Sequence, residues 1–294
     1  MSQSLTQPDI AVRPFMKWAG GKGQLLPALT RRLPRTFRRY HEPFVGGAAL
    51  FFHLHNSGRL TRGATLSDYN HELIDCYTVI RDDVETLIER LREHQGHRLE
   101  RSYFLDVRGW DRDPARYATL STVERVARML FLNRTCYNGL YRLNQKGQFN
   151  APFGHYKNPQ IYDSANLHAV SAALRDVTLK QANFDAVLAA AEPGDLVYFD
   201  PPYVPVSATA AFTSYTAQLF GPNDQRRLAD VCRTLAARGV SVMVSNSDTK
   251  LSREIYLAPG FFHETVFASR KINCDGRKRG HVEELIICSY PLGA

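Results

Sequence analysis

The residues best equipped for chemistry are Asp200, Pro201, Pro202 and Tyr203, which close the run DLVYFDPPY (195–203). Neither proline has a backbone N–H, and each fixes its own φ. Asp200 precedes a proline and is pushed into an extended conformation. The result is a stiff turn with carbonyls free to accept hydrogen bonds, a carboxylate before it and an aromatic ring after it. Such a set suits an amine conjugated to an aromatic ring. The lone pair of that amine is delocalised, so the amine is a poor nucleophile. A carboxylate and a carbonyl accepting its two N–H bonds favour a pyramidal nitrogen with an available lone pair, and Tyr203 can stack on the ring. The work is then orientation plus placed electrostatics. Asp200 need not be a full general base, because the proton can leave after the new bond forms. The bland alternative for a four-residue match is an ordinary strand-ending turn.

A second set of residues suits a nucleoside ligand. Gly46 and Gly47 follow Pro43, Phe44 and Val45 and give a tight turn that lets backbone approach a ligand. Asp68 ends the next apolar run, where an acid accepts from a ribose diol in dinucleotide folds. GGKGQ (20–24) does not make a phosphate loop: Gly23 stands where Ser or Thr must follow Lys22, and Met16 stands at the first glycine.

The elements that position these residues read as α/β. Short apolar runs ending in polar residues predict strands at 64–67, 196–199, 240–244 and 284–288. Val123, Val126, Ala127, Leu130 and Phe131 share one helical face, with Ser121 and Glu124 as a capping box. Leu228, Val231, Cys232 and Leu235 make another, with Asn223 near its start and Gly239 just past its end. Helix followed by strand, repeated, predicts a parallel sheet. Ligands of such sheets bind beyond the carboxyl ends of the strands. Residues 71–162 show helical faces without a core strand and read as a helical insert. Residues 1–13 read as a loose leader.

Composition bounds the rest. Hydrophobic residues make up 44% of the 294 and charged residues 22%, as expected of a chain with a sizeable core. No apolar run nears the ~20 residues of a membrane span, and the N-terminus lacks a signal-peptide core, so a cytoplasmic location is expected. The five cysteines form no CxxC pair, which favours neither a disulfide framework nor a metal site. The net charge of +8 fits a polyanionic partner. Arginines cluster at Arg31, Arg32, Arg35, Arg38 and Arg39, and basic residues at Arg270, Lys271, Arg277, Lys278 and Arg279. A solvated basic surface explains these equally well from charge alone.

The order of motifs decides among these readings. DPPY resembles the amino-methyltransferase motif in its N6-adenine form, and the surroundings resemble the Dam-type DNA adenine methyltransferases of the D12 group. FMKWAGGKGQLL (15–26) is similar to their N-terminal cofactor motif, and HEPFVGGAALFF (41–52) to the glycine motif of class I methyltransferases. LSDYNHELI (66–74) is similar to the acidic strand end that follows, and FLNRTCYNGLYRLNQKGQFNAPFGHY (131–156) to the DNA-recognition hairpin. DPPYVPVSATAAFTSY (200–215) and VSNSD (244–248) extend the match.

This resemblance implies a class I, Rossmann-like sheet formed by residues 1–70 and 163–294. A target-recognition domain with a β-hairpin, residues 71–162, would be inserted in it. It implies methyl transfer from S-adenosylmethionine to N6 of adenine in double-stranded DNA, within GATC, by base flipping, with no metal and no obligate protein partner. Trp18, Lys22, Gly46, Asp68, Phe184 and Asp200 would hold the cofactor. Asn183 stands where the family usually has an aspartate. Lys17, Tyr137, Asn138, Leu140, Arg142, Pro152 and Tyr156 would face DNA, while His155 replaces an expected arginine. In the hairpin itself, residues 144–147 supply a turn between GLYRL and QFNAPF. A two-stranded ribbon of that size fits the major groove.

Two other classes compete. An amino-methyltransferase acting on RNA or a protein glutamine more often carries NPPY and lacks the hairpin. A DNA-binding regulator without chemistry has no need of an intact Asp200–Tyr203 turn. Sequence leaves open whether the enzyme acts alone in replication and repair or protects DNA against a partner nuclease.

Overall fold

The computed structural model describes residues 10–206, 220–269 and 281–291. Among them, β1 (Tyr40–Glu42), β2 (Ala64–Asp68), β3 (Val177–Gln181), β4 (Leu196–Phe199), β5 (Ser241–Ser247), β6 (Phe262–Ser269) and β7 (His281–Cys288) form one sheet in the order β3-β2-β1-β4-β5-β7-β6. The first five strands in chain order run parallel, and β7 is antiparallel to both β5 and β6. The chain order reverses between β1 and β4. This is the switch point, where an open α/β sheet leaves a crevice at its carboxyl edge.

Helices α1 (Leu26–Thr30) and α2 (Ala49–Asn56) flank β1. Helices α3 (His71–Asp82), α4 (Val84–Gly96), α5 (Arg101–Gly109), α6 (Pro114–Thr119), α7 (Thr122–Thr135) and α8 (Ser164–Leu174) lie between β2 and β3. Helices α9 (Val187–Ala190), α10 (Pro222–Ala237) and α11 (Lys250–Tyr256) complete the set among the described residues. Helix α3 packs on β2 and β3 as well as on α7 and α8. The face of α10 predicted from the sequence is buried through Leu228, Val231, Cys232 and Leu235, and Gly239 ends it at φ 78°. The Ser121–Glu124 capping box of α7 is present.

Central strands β4 and β5 are buried on both faces, which is why β4 and the Val242–Val244 part of β5 read as continuous apolar runs. The strand predicted at 240–244 instead runs from Ser241 to Ser247, so the polar SNS segment belongs to the sheet. Three further strands carry no such signal. β1 reads YHE, yet all three residues are buried, because Tyr40 donates to Glu42 at 2.8 Å and His41 meets Asp195 at 3.1 Å. Edge strands β3 and β6 are half exposed and have no apolar run to betray them.

The expectation of a loose leader over residues 1–13 fails at Val12 and Arg13. Val12 is buried, and Asn56 both donates to its carbonyl at 2.8 Å and accepts from its N–H at 2.9 Å. Asn166 treats Arg13 alike, at 3.0 and 3.1 Å. Each amide mimics a neighbouring strand and so fixes an extended segment with no sheet partner. The basic group at 270–279 lies outside the described residues.

Candidate active site

Glu42, Asp68 and Asp200 stand at the carboxyl ends of β1, β2 and β4, so three acids from distant sequence converge on one edge. Asp200 is the best anchored. Its Oδ1 accepts from Lys22 Nζ at 2.8 Å and from Ser245 Oγ at 2.8 Å. Ser245 spends its only proton there, so the hydroxyl of Tyr198, 2.9 Å away, must donate to Ser245. Among the described residues Oδ2 accepts nothing. Burial raises the Asp200 carboxyl, while Lys22 and Ser245 oppose the rise.

The turn after Asp200 is pinned from behind. Gln225, buried on α10, donates to the Pro202 carbonyl at 2.7 Å and accepts from Asn246 and Tyr256. Asn246 in turn accepts from Val204 N–H at 2.9 Å. The expectation of free carbonyls therefore holds only for Pro201, which takes no hydrogen bond among the described residues; Pro202 is engaged. Pro201 is buried and Pro202 exposed. Tyr203 donates to Glu284 at 2.9 Å, and Lys22 Nζ lies 4.5 Å from the centre of its ring. Lys22 also donates to the Gly20 carbonyl at 2.7 Å. Lys22 is thus held by a carboxylate, a carbonyl and an aromatic face.

The glycine turn is tight. Gly46 has φ 46°, and a Cβ there would stand 3.0 Å from Trp18. Its N–H points at Asp68 Oδ2 at a long 3.4 Å, and its carbonyl accepts from Tyr77 at 2.8 Å. Asn70 N–H donates to the other oxygen of Asp68 at 3.0 Å. Burial lifts the Asp68 carboxyl to about 6 against these N–H groups. Glu42 is lifted further, to about 8, by burial, with the Asp200 charge adding to the rise. Phe184 stacks on Phe44 at 5.6 Å, and Arg227 covers it at 4.6 Å while donating to Asn183. Phe184 is therefore a wall packed on both faces, and Asn183 already accepts from Arg227 and from Phe184 N–H.

The segment read as a recognition hairpin lies beside this edge. It pairs antiparallel at Leu143 with Phe149 and at Cys136 with Phe153, and closes through Gly147, φ 74°. These are isolated bridges rather than the expected ribbon of two strands, and Tyr141 and Phe149 point inward and are buried. Arg142 is exposed and donates to the Asn150 side chain at 2.7 Å and to its carbonyl at 3.0 Å. Leu140 is half-buried, Pro152 exposed and Tyr137 43% exposed. Asn138 holds φ 58°, a region Asn tolerates. Lys17 reaches Tyr156, its Nζ 4.8 Å from the ring centre. Buried Asn133 clamps the two segments: it accepts from Lys17 N–H at 3.0 Å and donates to the carbonyls of Lys17 and Gly139 at 2.8 and 3.0 Å.

The structure brings together Trp18, Lys22, Gly46, Asp68 and Asp200–Tyr203, with Lys17 and the hairpin alongside. Sequence reasoning missed Glu42, Ser245, Asn246 and Gln225. Ser245 and Asn246 lay inside a quoted motif without a role. Gln225 carried no signal, since only the packing of α10 points it at the turn.

Five parallel strands closed by an antiparallel β7–β6 pair in this order, with an acid at the end of β4 opening a DPPY turn, define a class I methyltransferase. Such enzymes use S-adenosylmethionine as methyl donor. The chain belongs to the D12 class N6 adenine-specific DNA methyltransferases, whose family description matches residues 18–270. It is 42% identical over 97% of its length, and 98% of the relative, to the Type II methyltransferase M1.LlaDCHI of Lactococcus lactis subsp. cremoris. It is 41% identical over 95% of its length, and 99% of the relative, to the Type II methyltransferase M.MjaIII of Methanocaldococcus jannaschii. The DNA adenine methylase of Escherichia coli K12 is 35% identical over 95% of this chain and 96% of its own. The protein is an adenine-specific DNA methyltransferase, and its substrate is DNA. Among the described residues no helix is long and apolar enough to cross a membrane.

Proposed function

We propose that the enzyme methylates N6 of the adenine in GATC, taking the base out of the helix to reach it. The observation that carries the chemistry is the division of labour on Asp200. Oδ1 is held by Lys22 and Ser245, which leaves Oδ2 and the Pro201 carbonyl for the two N–H bonds of the amine. Tyr203, fixed through Glu284, stacks on the base. A cleft with these groups at its floor cannot reach an amine held in a paired, stacked base.

The residues fit the cofactor. The Lys22–Asp200 pair offers one cation and one anion to the amino-acid end of S-adenosylmethionine, Gly46 leaves room for backbone approach, and Asp68 suits the ribose diol. The bound cofactor supplies an electrophilic methyl on a sulfonium. Trp18 lines the same slot, and Phe184 forms its packed rear wall.

Residues 71–162 act as the recognition domain in this reading. Arg142 donates two parallel bonds to a guanine, the commonest specific contact in the major groove. Leu140 covers a thymine methyl, Pro152 lies in the same groove, and Lys17 takes the other guanine. Tyr137 and Asn138 fill the space around the flipped base. Tyr156 and His155 sit by the backbone. The 42% and 41% identities to Type II methyltransferases, against 35% to DNA adenine methylases, favour a modification enzyme paired with a nuclease.

The test is to methylate a plasmid and map the modified bases, then replace the target adenine by 2-aminopurine. Modification confined to GATC and a fluorescence rise on binding are expected. Modification at another sequence refutes the specificity. No rise at saturating enzyme on a site confirmed to be methylated refutes flipping.

A further inference from the structure

Tyr141 lies between the two residues assigned to base reading, Leu140 and Arg142, yet points the other way and is buried. Its ring stacks on Trp18 of the cofactor motif at 5.2 Å and 28°. Its hydroxyl donates to Glu72, in the first turn of α3. The N-cap of that helix is Asn70, whose side chain accepts from Glu72 N–H at 3.1 Å and whose own N–H donates to Asp68. One side chain thus joins the arm that carries Arg142 to two parts of the proposed cofactor slot, directly to Trp18 and through Glu72 to the Asp68–Asn70 corner.

This join is specific rather than general packing. A cavity of about 260 Å³ lies behind the hairpin, lined by Tyr141, Phe149, Glu72, Arg128 and Leu143 among others. The ring stack and the hydroxyl bond place Tyr141 beside this space, while the opposite arm is tied to the helices separately, through Phe149 N–H donating to Asp111 at 2.7 Å and Arg112 donating to the Phe149 carbonyl at 2.8 Å. Glu72 accepts a second hydroxyl, from Tyr117 at 2.9 Å, so its carboxylate is held in place. At the root the arm has no slack, because Asn133 clamps Gly139 to Lys17, and a Cβ on Gly139 would stand 2.4 Å from the Lys17 side chain. A change in Trp18 or at the Asp68 corner is passed to the arm through Tyr141 and not taken up at its base.

We propose that Tyr141 and Glu72 are positioning residues that couple cofactor binding to sequence reading: an occupied cofactor slot sets the arm carrying Arg142, and correctly read DNA tightens the slot. This rests on the proposed roles of the hairpin and of Trp18. The coupling is reciprocal by thermodynamic linkage, and couplings of this kind amount to roughly 5–150-fold.

The test uses S-adenosylhomocysteine, which has no methyl to transfer, and a short duplex carrying the site found by mapping. Its affinity is measured by calorimetry with and without saturating duplex for wild type, Tyr141→Phe and Glu72→Gln. Tyr141→Phe keeps the ring stack and removes only the hydroxyl bond. Wild type should show a ratio of roughly tenfold, within the usual range. Both variants should bring it to within about twofold of unity while binding the cofactor product alone as wild type does. An unchanged ratio in both variants overturns the proposal, as does a wild-type ratio of one. Equal weakening with and without DNA makes Tyr141 a plain wall of the slot and also overturns it. Arg142→Ala, assayed on singly substituted sites, separately tests the hairpin reading. Relaxed discrimination at one base pair upholds that reading whatever Tyr141 does, and uniform slowing at every site overturns it.

Discussion

The Lys22–Asp200 pair allows the reading of the site to be tested by stability and rate together. The perturbations are Lys22→Met and Asp200→Asn, singly and combined. Removing one partner of a buried pair costs roughly 3–5 kcal/mol, because the other charge is left unpaired. Here the side chains are 9% and 18% exposed, so the low end applies. In Asp200→Asn the lysine keeps the Gly20 carbonyl and the Tyr203 ring. A cation over an aromatic face is worth roughly 0.5–2 kcal/mol, which brings the expected cost to about 2 kcal/mol. In Lys22→Met the carboxylate keeps Ser245 and can take up a proton, since burial already raises it; the cost is again about 2 kcal/mol. The double variant has no stranded charge, so it should be more stable than the sum predicts by roughly 1–3 kcal/mol. Activity should behave otherwise. Asp200→Asn should lose about 10²–10⁴ in methyl transfer, and the double variant should not recover it. Denaturant melts give the stabilities, and transfer of labelled methyl to DNA under single-turnover conditions gives the rates. Stabilities that add within about 0.5 kcal/mol would mean that the pair does not form in solution. Near-normal turnover in Asp200→Asn would end the argument that this carboxylate orients the amine.

Two further outcomes follow from the buried acids. Asp68→Asn should weaken cofactor binding by roughly 1–3 kcal/mol. In the wild type that binding should also fall as pH drops below about 6, where Asp68 protonates and loses an acceptor. Calorimetry that shows a pH-independent affinity would remove Asp68 from the ribose. Glu42 has its folded-state value raised from 4.5 to about 8, so the stability it lends is complete below the unfolded value and is lost as pH rises through about 8. At about 1.4 kcal/mol per unit, the loss over that window is roughly 3–5 kcal/mol, and Glu42→Gln should abolish it. Equal slopes of melting midpoint against pH in both proteins would show that Glu42 ionises freely.

The sequence determined what depends on local chemistry. DPPY makes a stiff turn wherever it sits, because proline fixes its own dihedral and that of its neighbour. Strand β4 and the first half of β5 were legible because their buried residues are apolar and form continuous runs. The capping box of α7 and the glycine stop after α10 could be read because unpaired backbone groups at helix ends demand particular residues, whereas α10 starts at Gly221 and Asp224 rather than at Asn223. The motif order pointed to the adenine methyltransferases before any contact was known.

Tertiary structure decided whatever depends on a partner far along the chain. β1 is polar and still central, since Tyr40 satisfies Glu42 within the strand and Asp195, just before neighbouring β4, supplies the partner of His41. Gln225 serves the DPPY turn only because α10 packs behind it. Tyr141 reads as one more aromatic residue in a recognition loop; that it faces Trp18 and Glu72 instead of solvent follows from the alternation of side chains along an arm laid against helices. A chain records which groups need partners. Which distant groups meet that need is settled only when the sheet and helices close around them.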